Sequence, residues 1–303
     1  MRGFAPFEAT AEPFIAGESG RFLAVFKPAG MHSTPIARDV VDAAAARAPY
    51  SSLLPWLLAQ RPEQAAAFAG PDLDRRAATE FGMLSRLDRE TSGLILFAKT
   101  PEAFREALSL QAARRIKKSY RLIAAPSFSS GGLPGSRPAL CPDPRIERFF
   151  SPTRSATIDA LEVESYFRPY GEGRASVACL APDAAGAFLK ERSSEQYSTI
   201  FCRLDEPVPE ALAGRQNCLV LEAEIFSGFR HQIRAHLAWT GHPILGDERY
   251  GGAPAPRLFL EACRIEIEAG STAPPGSGAP DDCFELYGEP PRLASAAAAP
   301  MNT

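Results

Sequence analysis

The sequence predicts an α+β protein whose short strands outnumber its helices and form several antiparallel hairpins. Apolar runs of about four to eight residues recur between turns rich in Gly, Pro and Ser, which is typical of strands. Fewer segments show the apolar spacing and the end caps of a helix. With 303 residues, 45% of them hydrophobic, the chain is long and apolar enough to bury a sizeable core.

The first elements are two strand regions separated by a helix. Residues 22–30 predict a short apolar strand that ends in a Lys-Pro-x-Gly turn. Residues 40–58 are rich in Ala and Leu and predict a helix broken by Pro49 and Pro55. Residues 82–99 predict a strand, a turn and a second strand, with an aspartate on the turn.

A helix and another strand follow directly. Thr100 is the predicted N-cap of this helix, Pro101 its first residue and Glu102 an acid in its first turn. The helix is expected to run to about Arg115. Residues 120–125 then predict a strand.

The second half combines a long irregular stretch with three further elements. Residues 126–157 are rich in Ser, Gly and Pro and predict a loop or an insertion. Residues 218–226 alternate like a strand, residues 229–240 predict a helix closed by a glycine, and residues 258–268 predict one more strand. The low-complexity tail at 269–303 is expected to be largely disordered.

Charge and composition argue against a membrane protein, a secreted protein and a metal-binding protein. A net charge of −3 argues mildly against a general polyanion binder, although phosphate contacts depend on one face and not on the whole molecule. No apolar run approaches a membrane span, and the N-terminus lacks the apolar core of a signal peptide. We therefore expect a cytoplasmic protein without a membrane partner. Scattered cysteines, and histidines without metal-ligand spacing, predict reduced thiols and no metal site.

The most informative segment is Ser-Arg-Leu-Asp-Arg-Glu-Thr-Ser-Gly-Leu-Ile-Leu-Phe-Ala-Lys at residues 85–99. It places Asp88 near two arginines, which can keep a carboxylate ionised at neutral pH so that it serves as a nucleophile or base. The alternative is an aspartate that only caps the following turn. Arg86 is open to two interpretations as well, a solvated surface charge or a functional residue.

A second segment, Lys-Lys-Ser-Tyr-Arg-Leu-Ile-Ala at residues 117–124, sets Tyr120 at the start of a strand. An aromatic ring beside phosphate-neutralising charges suits a splayed-out nucleotide. The alternative is an ordinary strand tyrosine with its hydroxyl in water. The basic residues around it are Arg114, Arg115, Lys117, Lys118 and Arg121.

A third segment, residues 227–251, contains Ser-Gly-Phe-Arg-His-Gln-Ile-Arg-Ala-His-Leu and then Gly-His-Pro-Ile-Leu-Gly-Asp-Glu-Arg-Tyr-Gly. In a helix, Arg230 and Arg234 lie four residues apart on one face, and Ile233 and Leu237 form an apolar stripe. An amphipathic helix with ordinary surface arginines is the alternative. It does not account for the Gly-His-Pro-Ile-Leu-Gly-Asp run.

Together these segments resemble the motifs of the RluA family of RNA pseudouridine synthases. Weaker similarities at residues 26–31 and 257–262 extend the resemblance over most of the chain. It implies the pseudouridine synthase catalytic fold, with a mixed, mostly antiparallel central sheet flanked by helices and loops. It also implies a catalytic domain at residues 21–268, preceded by an N-terminal extension at 1–20.

The resemblance further implies roles for individual residues. Asp88 is the catalytic carboxylate, Tyr120 stacks on the target base, and Arg234 pairs with Asp88. Ile233 packs under Tyr120, and Arg86 occupies the position in the duplex that a flipped nucleotide vacates. The candidate substrate-binding residues are Arg86, Lys118, Arg230, His231, Gln232 and Ile233.

Three positions depart from the motifs of the family. Ser85 and Glu261 stand where histidines are usual. Phe229 stands where the Gly-Arg pair has its arginine, which is displaced here to Arg230. These departures concern contacts with RNA and leave the three catalytic candidates in place.

The implied function is isomerisation of uridine to pseudouridine in structured ribosomal or transfer RNA. The resemblance implies base flipping and an aspartate-dependent rearrangement without a cofactor, and we expect a monomer. A non-catalytic RNA-binding relative with the same fold is one alternative, and it predicts loss of Asp88 or of its arginine partner. A glycoside hydrolase using Asp88 and Glu90 is another, but two carboxylates in one turn do not flank a sugar cleft.

Overall fold

The structure of the protein, a computed structural model, describes residues 7, 12–35, 51–70, 73–126, 140–151, 158–183, 192–212, 215, 217–268 and 282–286. The strands in these residues are β1 (Phe14–Glu18), β2 (Phe22–Lys27), β3 (Ser92–Ala98), β4 (Ile116–Ala124), β5 (Ala160–Tyr170), β6 (Ser176–Leu180), β7 (Tyr197–Arg203), β8 (Leu219–Ile225), β9 (Leu260–Ile267) and β10 (Asp282–Glu285). The helices in the same residues are α1 (Leu53–Gln60), α2 (Pro62–Ala67), α3 (Arg75–Glu80), α4 (Pro101–Ala112), α5 (Arg145–Phe150) and α6 (Gln232–Trp239).

The chain divides into two units. Unit 1 consists of Met1–Tyr120 and Arg257–Gly288, and unit 2 consists of Arg121–Pro256 and Glu289–Thr303. The boundary falls inside β4, so this strand contributes residues to both units. A single catalytic domain over residues 21–268 stays a prediction.

The sheet of unit 1 has the strand order β1-β2-β3-β9-β4, and β10 pairs with β9. The pairs β1–β2, β2–β3 and β9–β10 are antiparallel. β3 and β9 pair in parallel, with Ser92 opposite Glu261 and Gly93 opposite Ala262. The parallel contact therefore begins where the chain leaves the Asp88 turn.

β2 and β3 are buried on both faces. Leu23 and Val25 of β2 pack with Leu57 of α1, whereas Phe22 belongs to a second cluster with Phe104 of α4. Successive side chains of a strand point to opposite faces, so helices cover both sides of β2. This two-sided burial explains the uninterrupted apolar run Phe-Leu-Ala-Val-Phe, which does not alternate with polar residues.

The strands of unit 2 follow the order β4-β8-β7-β5-β6. β7 is antiparallel to both β8 and β5, and β5 is antiparallel to β6. The first eight residues of β5 alternate between exposed or half-buried and buried, so one face of this strand points to the core. α6 packs against β5, β6 and β7. The predicted mixed, mostly antiparallel sheet is thus confirmed.

Several predicted elements are confirmed with small shifts at their ends. β2, β8 and β9 lie within predicted strands. α4 begins after the predicted N-cap, where Thr100 Oγ1 accepts a hydrogen bond from the Ala103 N–H (3.2 Å). The helix ends at Ala112 and not at about Arg115, because Arg114 adopts a left-handed conformation with φ 57°.

Two predictions within the first hundred residues are wrong. Pro55 does not break a helix: it is the third residue of α1, in the first turn, where a missing N–H leaves no hydrogen bond unmade. The first strand predicted in residues 82–99 is reduced to an isolated bridge between Met83 and Phe97. The segment from Leu84 to the Asp88 turn runs as an irregular chain.

Other elements lie where the sequence predicts none. β1 lies in the predicted N-terminal extension, β10 in the predicted disordered tail, and α5 in the predicted insertion. β5, β6 and β7 fill the region between that insertion and β8. Parts of the predicted helix at 40–58, including Pro49, and parts of the insertion and tail lie outside the described residues.

Candidate active site

The turn after β2 is tied to the segment that carries Asp88. The Gly30 N–H donates to the Arg89 carbonyl (2.8 Å), and Arg89 Nε donates to the Gly30 carbonyl (3.0 Å). Ser33 Oγ donates to the Leu87 carbonyl (2.9 Å) and accepts from the Leu87 N–H (3.1 Å). Asp88 lies between Leu87 and Arg89, so these bonds fix its backbone from both sides.

Lys27 lies buried beside this turn, with no exposed side-chain surface. Its ammonium group donates to the carbonyls of Pro28 (3.0 Å) and Met31 (2.8 Å). Burial lowers the pKa of Lys27 to about 7, although the negative charges of Asp88 and Glu90 act to raise it. Lys27 therefore places a titratable positive charge within electrostatic reach of the predicted catalytic carboxylate.

We expect Lys27→Met to make the free energy of unfolding less dependent on pH. The folded-state pKa of Lys27 is about 7, below the ordinary value of 10.5. Between these values the unfolded chain binds the proton and the folded chain does not, so this lysine makes wild-type stability rise with pH, by about 5 kcal/mol in full. Denaturant unfolding of both proteins at several pH values in this range measures the difference. Parallel stability curves would contradict a buried lysine that releases its proton.

The start of β3 accepts only glycine at position 93. Gly93 has φ +117°, and a Cβ there would lie 2.2 Å from the Ala262 carbonyl oxygen of β9. Backbone of this conformation, so close to a neighbouring strand, leaves no space for a side chain. The glycine of the Thr-Ser-Gly motif therefore lets β3 approach β9 directly after the Asp88 turn.

Glu261, which replaces a histidine of the family motifs, anchors the same junction. Ser92 Oγ donates to Glu261 Oε2 (2.8 Å), and Arg257 Nη2 donates to Ser92 Oγ (2.7 Å). Arg257 and Glu261 also form an ion pair (3.5 Å), and Glu261 is 3% exposed. This departure from the family motifs thus belongs to an internal network that fixes the first residue of β3.

Tyr120 and Lys118 lie two residues apart on β4 and point to the same side of the strand. Burial raises the pKa of Tyr120, and the negative charge of Asp88 raises it further, which places the two side chains within electrostatic reach. Burial also lowers the pKa of Lys118 to about 8, with a smaller contribution from the positive charge of Arg76. Unit 1 therefore brings Tyr120 and Lys27 to the Asp88 turn.

Arg86 is held by a residue that the sequence motifs do not indicate. Its guanidinium forms an ion pair with Glu80, the last residue of α3. The Glu80 side chain is 7% exposed and also accepts from Arg76 Nε (3.3 Å), whereas the Arg86 side chain is 58% exposed. Arg76 Nη2 donates in turn to the Leu84 carbonyl (3.0 Å). α3 thus braces the segment before Asp88 and leaves much of Arg86 at the surface.

In unit 2, Arg234 on α6 forms a buried bidentate ion pair with Asp247. Arg234 Nε and Nη2 donate to the two carboxylate oxygens of Asp247 at 2.8 Å each. The side chains are 3% and 0% exposed. Asp247 ends the Gly-His-Pro-Ile-Leu-Gly-Asp run, and that run lies along β4, where the Leu245 N–H donates to the Ile123 carbonyl (2.9 Å). The run therefore supplies a partner that fixes Arg234, while the pairing of Arg234 with Asp88 stays a prediction.

Tyr250 links Arg234 to the start of α6. The guanidinium carbon of Arg234 lies 5.5 Å from the centre of the Tyr250 ring. The Tyr250 hydroxyl forms a hydrogen bond with His231 Nδ1 (3.0 Å) and accepts one from the Val177 N–H (2.9 Å). Burial raises the pKa of Tyr250, so this hydroxyl stays protonated. The candidate His231 is thus held in place from within the unit.

The other candidates of the third segment differ in exposure. Gln232 is 3% exposed; its Oε1 accepts from the Phe229 N–H (2.9 Å), and its Nε2 donates to the Ser198 carbonyl (2.9 Å). Ile233 is 5% exposed, whereas Arg230 is exposed. Gln232 therefore holds the start of α6, and a contact between Gln232 and RNA stays a prediction. Arg230 has the exposure that contact with RNA requires.

His236 is a core residue of unit 2. Its Nε2 lies 3.0 Å from Ser165 Oγ and its Nδ1 lies 2.9 Å from Thr199 Oγ1. Burial lowers the pKa of His236 to about 3, so the ring is neutral at physiological pH. The second histidine of the His-Gln-Ile-Arg-Ala-His run therefore stabilises the packing of α6 on the sheet.

Two kinds of feature are absent from the described residues. Among these residues, no three His, Cys, Asp or Glu side chains are grouped so that they could hold a metal ion. No helix in them is both long and apolar enough to cross a membrane.

The amino-acid sequence matches the model of a known protein family. A family model described as RNA pseudouridylate synthase matches residues 21–239 of the 303-residue chain. The chain belongs to the RNA pseudouridylate synthase family. The matched residues contain Asp88, Tyr120 and Arg234, so the resemblance to the RluA family is confirmed.

Individual relatives agree with this assignment. Ribosomal large subunit pseudouridine synthase D of Pasteurella multocida is 25% identical over 175 residues, which are 58% of this chain and 39% of the relative. An uncharacterized RNA pseudouridine synthase of Chloroflexus aurantiacus is 28% identical over 203 residues, 65% of this chain and 48% of the relative. The chain thus spans less than half the length of these relatives.

A solved structure shares the fold. Human RNA Pseudouridylate Synthase Domain Containing 1 superposes with a TM-score of 0.54 at 18% sequence identity. The match covers 94% of this chain and 86% of the human chain. The α+β fold predicted for a pseudouridine synthase is therefore confirmed.

Proposed function

We propose that this protein isomerises uridine to pseudouridine in structured RNA, with Asp88 as the catalytic residue. One observation carries the proposal: Asp88 lies on a turn fixed at both neighbouring residues, with Tyr120 and the buried Lys27 in electrostatic reach. A carboxylate that only caps a turn needs neither a buried aromatic hydroxyl nor a buried ammonium beside it. The family match supports the same conclusion.

The proposed reaction rearranges one nucleotide and consumes no second reactant. The bond between N1 of uracil and C1′ of ribose breaks, the base rotates, and C5 bonds to C1′. C5 loses its proton and N1 gains one, so atoms and electrons balance. Asp88 begins the cleavage, as a nucleophile or as a base. Because no redox step or external group is involved, we expect no cofactor.

The other catalytic candidates position the base and the carboxylate. The Tyr120 ring offers a face on which the flipped uracil stacks, with Ile233 beneath it by analogy with the family. Arg234, which the resemblance pairs with Asp88, enters the proposal already oriented by Asp247 and Tyr250. An arginine held in one rotamer loses little entropy when it binds a carboxylate.

The proposed RNA contacts divide into exposed and buried residues. Arg86 and Arg230 are exposed and can reach RNA directly. Lys118 and His231 lie deeper, and Gln232 acts by holding the start of α6. In this proposal Arg86 fills the gap that the flipped nucleotide leaves in the duplex.

We infer that ribosomal RNA is the substrate, because the Pasteurella multocida relative and further similar proteins are ribosomal large subunit pseudouridine synthases. A ribosomal RNA substrate is consistent with action in the cytoplasm. The non-catalytic RNA-binding alternative is not favoured, since Asp88 and Arg234 are both retained.

A direct assay of the purified full-length protein tests the proposal. The protein is incubated, in buffer containing EDTA, with transcripts of large-subunit ribosomal RNA and, separately, of transfer RNA. Carbodiimide adducts and primer extension then locate pseudouridine. A new stop in the ribosomal transcript is the expected result. Stops in transfer RNA alone would overturn the substrate, and RNA binding without any stop would overturn the activity.

We expect Glu80→Gln to weaken catalysis on paired RNA by loosening Arg86. The substitution keeps the shape of the side chain but removes the charge that holds the guanidinium of Arg86. A loss of roughly threefold to tenfold in kcat/KM is expected, larger for a uridine in a duplex than for one in a single strand. Steady-state assays on matched hairpin and single-stranded RNA measure it.

Glu102→Gln is the matched control for Glu80→Gln. Glu102 forms an ion pair with Arg105 on α4, and both side chains are largely exposed. This control is expected to retain wild-type kinetics on both RNAs. Equal kcat/KM values for wild type and Glu80→Gln on the hairpin would refute the positioning role of Glu80.

A further inference from the structure

We propose that the outer face of the β5–β6 hairpin in unit 2 binds the sugar–phosphate backbone of RNA. The hairpin surface is defined by four arginines and two tyrosines: Tyr166, Arg168, Tyr170, Arg174, Arg192 and Arg230. The inference rests on the proposed function only in naming RNA as the polyanion. It assigns a second contact region to residues that the family motifs, apart from Arg230, do not mark.

Strand geometry places the central residues of this surface on one face. The buried residues of β5 alternate with exposed or half-buried ones, and Tyr166, Arg168 and Tyr170 follow the outward positions. On the antiparallel neighbour β6, small side chains stand opposite two of them, Ala178 opposite Arg168 and Ser176 opposite Tyr170. The arginine and tyrosine side chains therefore extend beyond their strand neighbours.

Aromatic rings orient two of the arginines. The guanidinium carbon of Arg192 lies 3.9 Å from the centre of the Tyr166 ring, and that of Arg168 lies 5.8 Å from the centre of the Tyr170 ring. A guanidinium stacked on a ring loses less freedom on binding, and the exposed Arg192 can direct its N–H groups to phosphate oxygens, whereas the Nε of Arg168 is buried. Interleaved arginine and aromatic residues are typical of surfaces that follow a nucleic-acid backbone.

The same surface continues to the start of α6. Arg230 Nη2 donates to the carbonyls of Arg174 (2.8 Å) and Ser176 (3.3 Å), at the turn that joins the two strands. The Val177 N–H of β6 donates to the Tyr250 hydroxyl (2.9 Å), and Tyr250 also contacts His231. The hairpin is thus bonded directly to the elements that hold Arg230 and His231, both candidates for RNA binding.

Local charge favours a polyanion at this surface. Arg174, Arg192 and Arg230 are exposed, against two exposed acids, Glu172 in the turn between the strands and Glu195 three residues after Arg192. Glu162 and Glu164 lie earlier on the outward face of β5, so the basic surface ends at Tyr166. A locally basic face on a chain of net charge −3 restricts phosphate contacts to one side.

Charge-removing variants in the full-length protein test the proposal. The double variant Arg174→Gln/Arg192→Gln is compared with Arg61→Gln/Arg105→Gln, which removes the same charge from arginines paired with carboxylates in unit 1. Fluorescence anisotropy with a labelled single-stranded RNA oligonucleotide gives Kd at several salt concentrations. We expect Kd to rise roughly tenfold for the hairpin variant, with the salt slope reduced by about 0.7 per arginine. The control is expected to behave as wild type.

Tyr166 provides a second, independent readout. Tyr166→Phe retains a ring under Arg192 and is expected to bind RNA as wild type does, whereas Tyr166→Leu is expected to lose affinity by a few fold. Wild-type affinity and salt slope in the arginine double variant, or an equal loss in the control, would overturn the hairpin surface. If wild type forms no pseudouridine but the hairpin variant still loses affinity, the proposed activity fails and the surface stands.

Discussion

We expect Asp88→Asn to abolish pseudouridine formation by the purified protein while leaving its fold intact. The amide has the size of the carboxylate, but it carries no negative charge and can neither attack the ribose nor accept a proton as a base. Loss of a group that takes part directly in bond cleavage costs about a thousandfold or more in rate. Single-turnover assays on the RNA that wild type modifies measure this loss.

Glu90→Gln is the matched control, because Glu90 lies on the same turn and also acts electrostatically on Lys27. It is expected to keep activity within a few fold of wild type. Equal losses of activity in Asp88→Asn and Glu90→Gln would show that activity depends on the total negative charge of the turn and not on the Asp88 carboxylate in particular. Thermal unfolding of all three proteins verifies that the comparison is made between folded chains.

The second large effect is expected for Asp247→Ala, which should destabilise the protein by about 3–5 kcal/mol. The substitution leaves the buried guanidinium of Arg234 without the two charge-assisted hydrogen bonds that Asp247 supplies. Denaturant unfolding monitored by circular dichroism measures the change. Because Arg234 also loses its orientation, activity should fall even where the variant is folded.

Asp143→Ala removes a carboxylate from an ion pair of the same unit that is more exposed. Arg145 and Asp143 have side-chain exposures of 54% and 21%. A partly exposed ion pair contributes about 0–1 kcal/mol, and the hydrogen bond that Asp143 accepts from the Arg145 N–H adds about 1 kcal/mol, so this variant should lose clearly less stability than Asp247→Ala. If Asp247→Ala is no less stable than Asp143→Ala, the buried pair does not hold α6 in place.

The sequence predicts elements well where a strand is buried on both faces or where a cap marks the start of a helix. β2 reads as a strand because both of its faces are covered, and α4 is marked by its cap at Thr100. β5 is missed because Glu162, Glu164 and Arg168 on its outward face dilute the apolar pattern of its buried face. β10 has only four residues, which is too short for a periodic signal.

The residues of the candidate site also fall into two groups. A sequence motif marks some of them, and only the folded structure shows the role of the others. Asp88, Tyr120 and Arg234 stand in contiguous motifs, so they can be singled out from the sequence. Lys27 and Asp247 also stand in motifs, but their roles depend on burial and on partners far along the chain. Nothing local marks Glu80, because its contact with Arg86 depends on how α3 ends beside the chain that leads to Asp88.

The most direct measurement is a map of pseudouridines in total RNA from cells with the gene, without it, and with Asp88→Ala. Carbodiimide modification followed by primer extension locates each pseudouridine. We expect at least one ribosomal RNA site that is present with the wild-type gene and lost in both other strains. A site that is lost on deletion but kept with Asp88→Ala would contradict the assignment of Asp88 as the catalyst. Identical maps in all three strains would contradict the proposed activity itself.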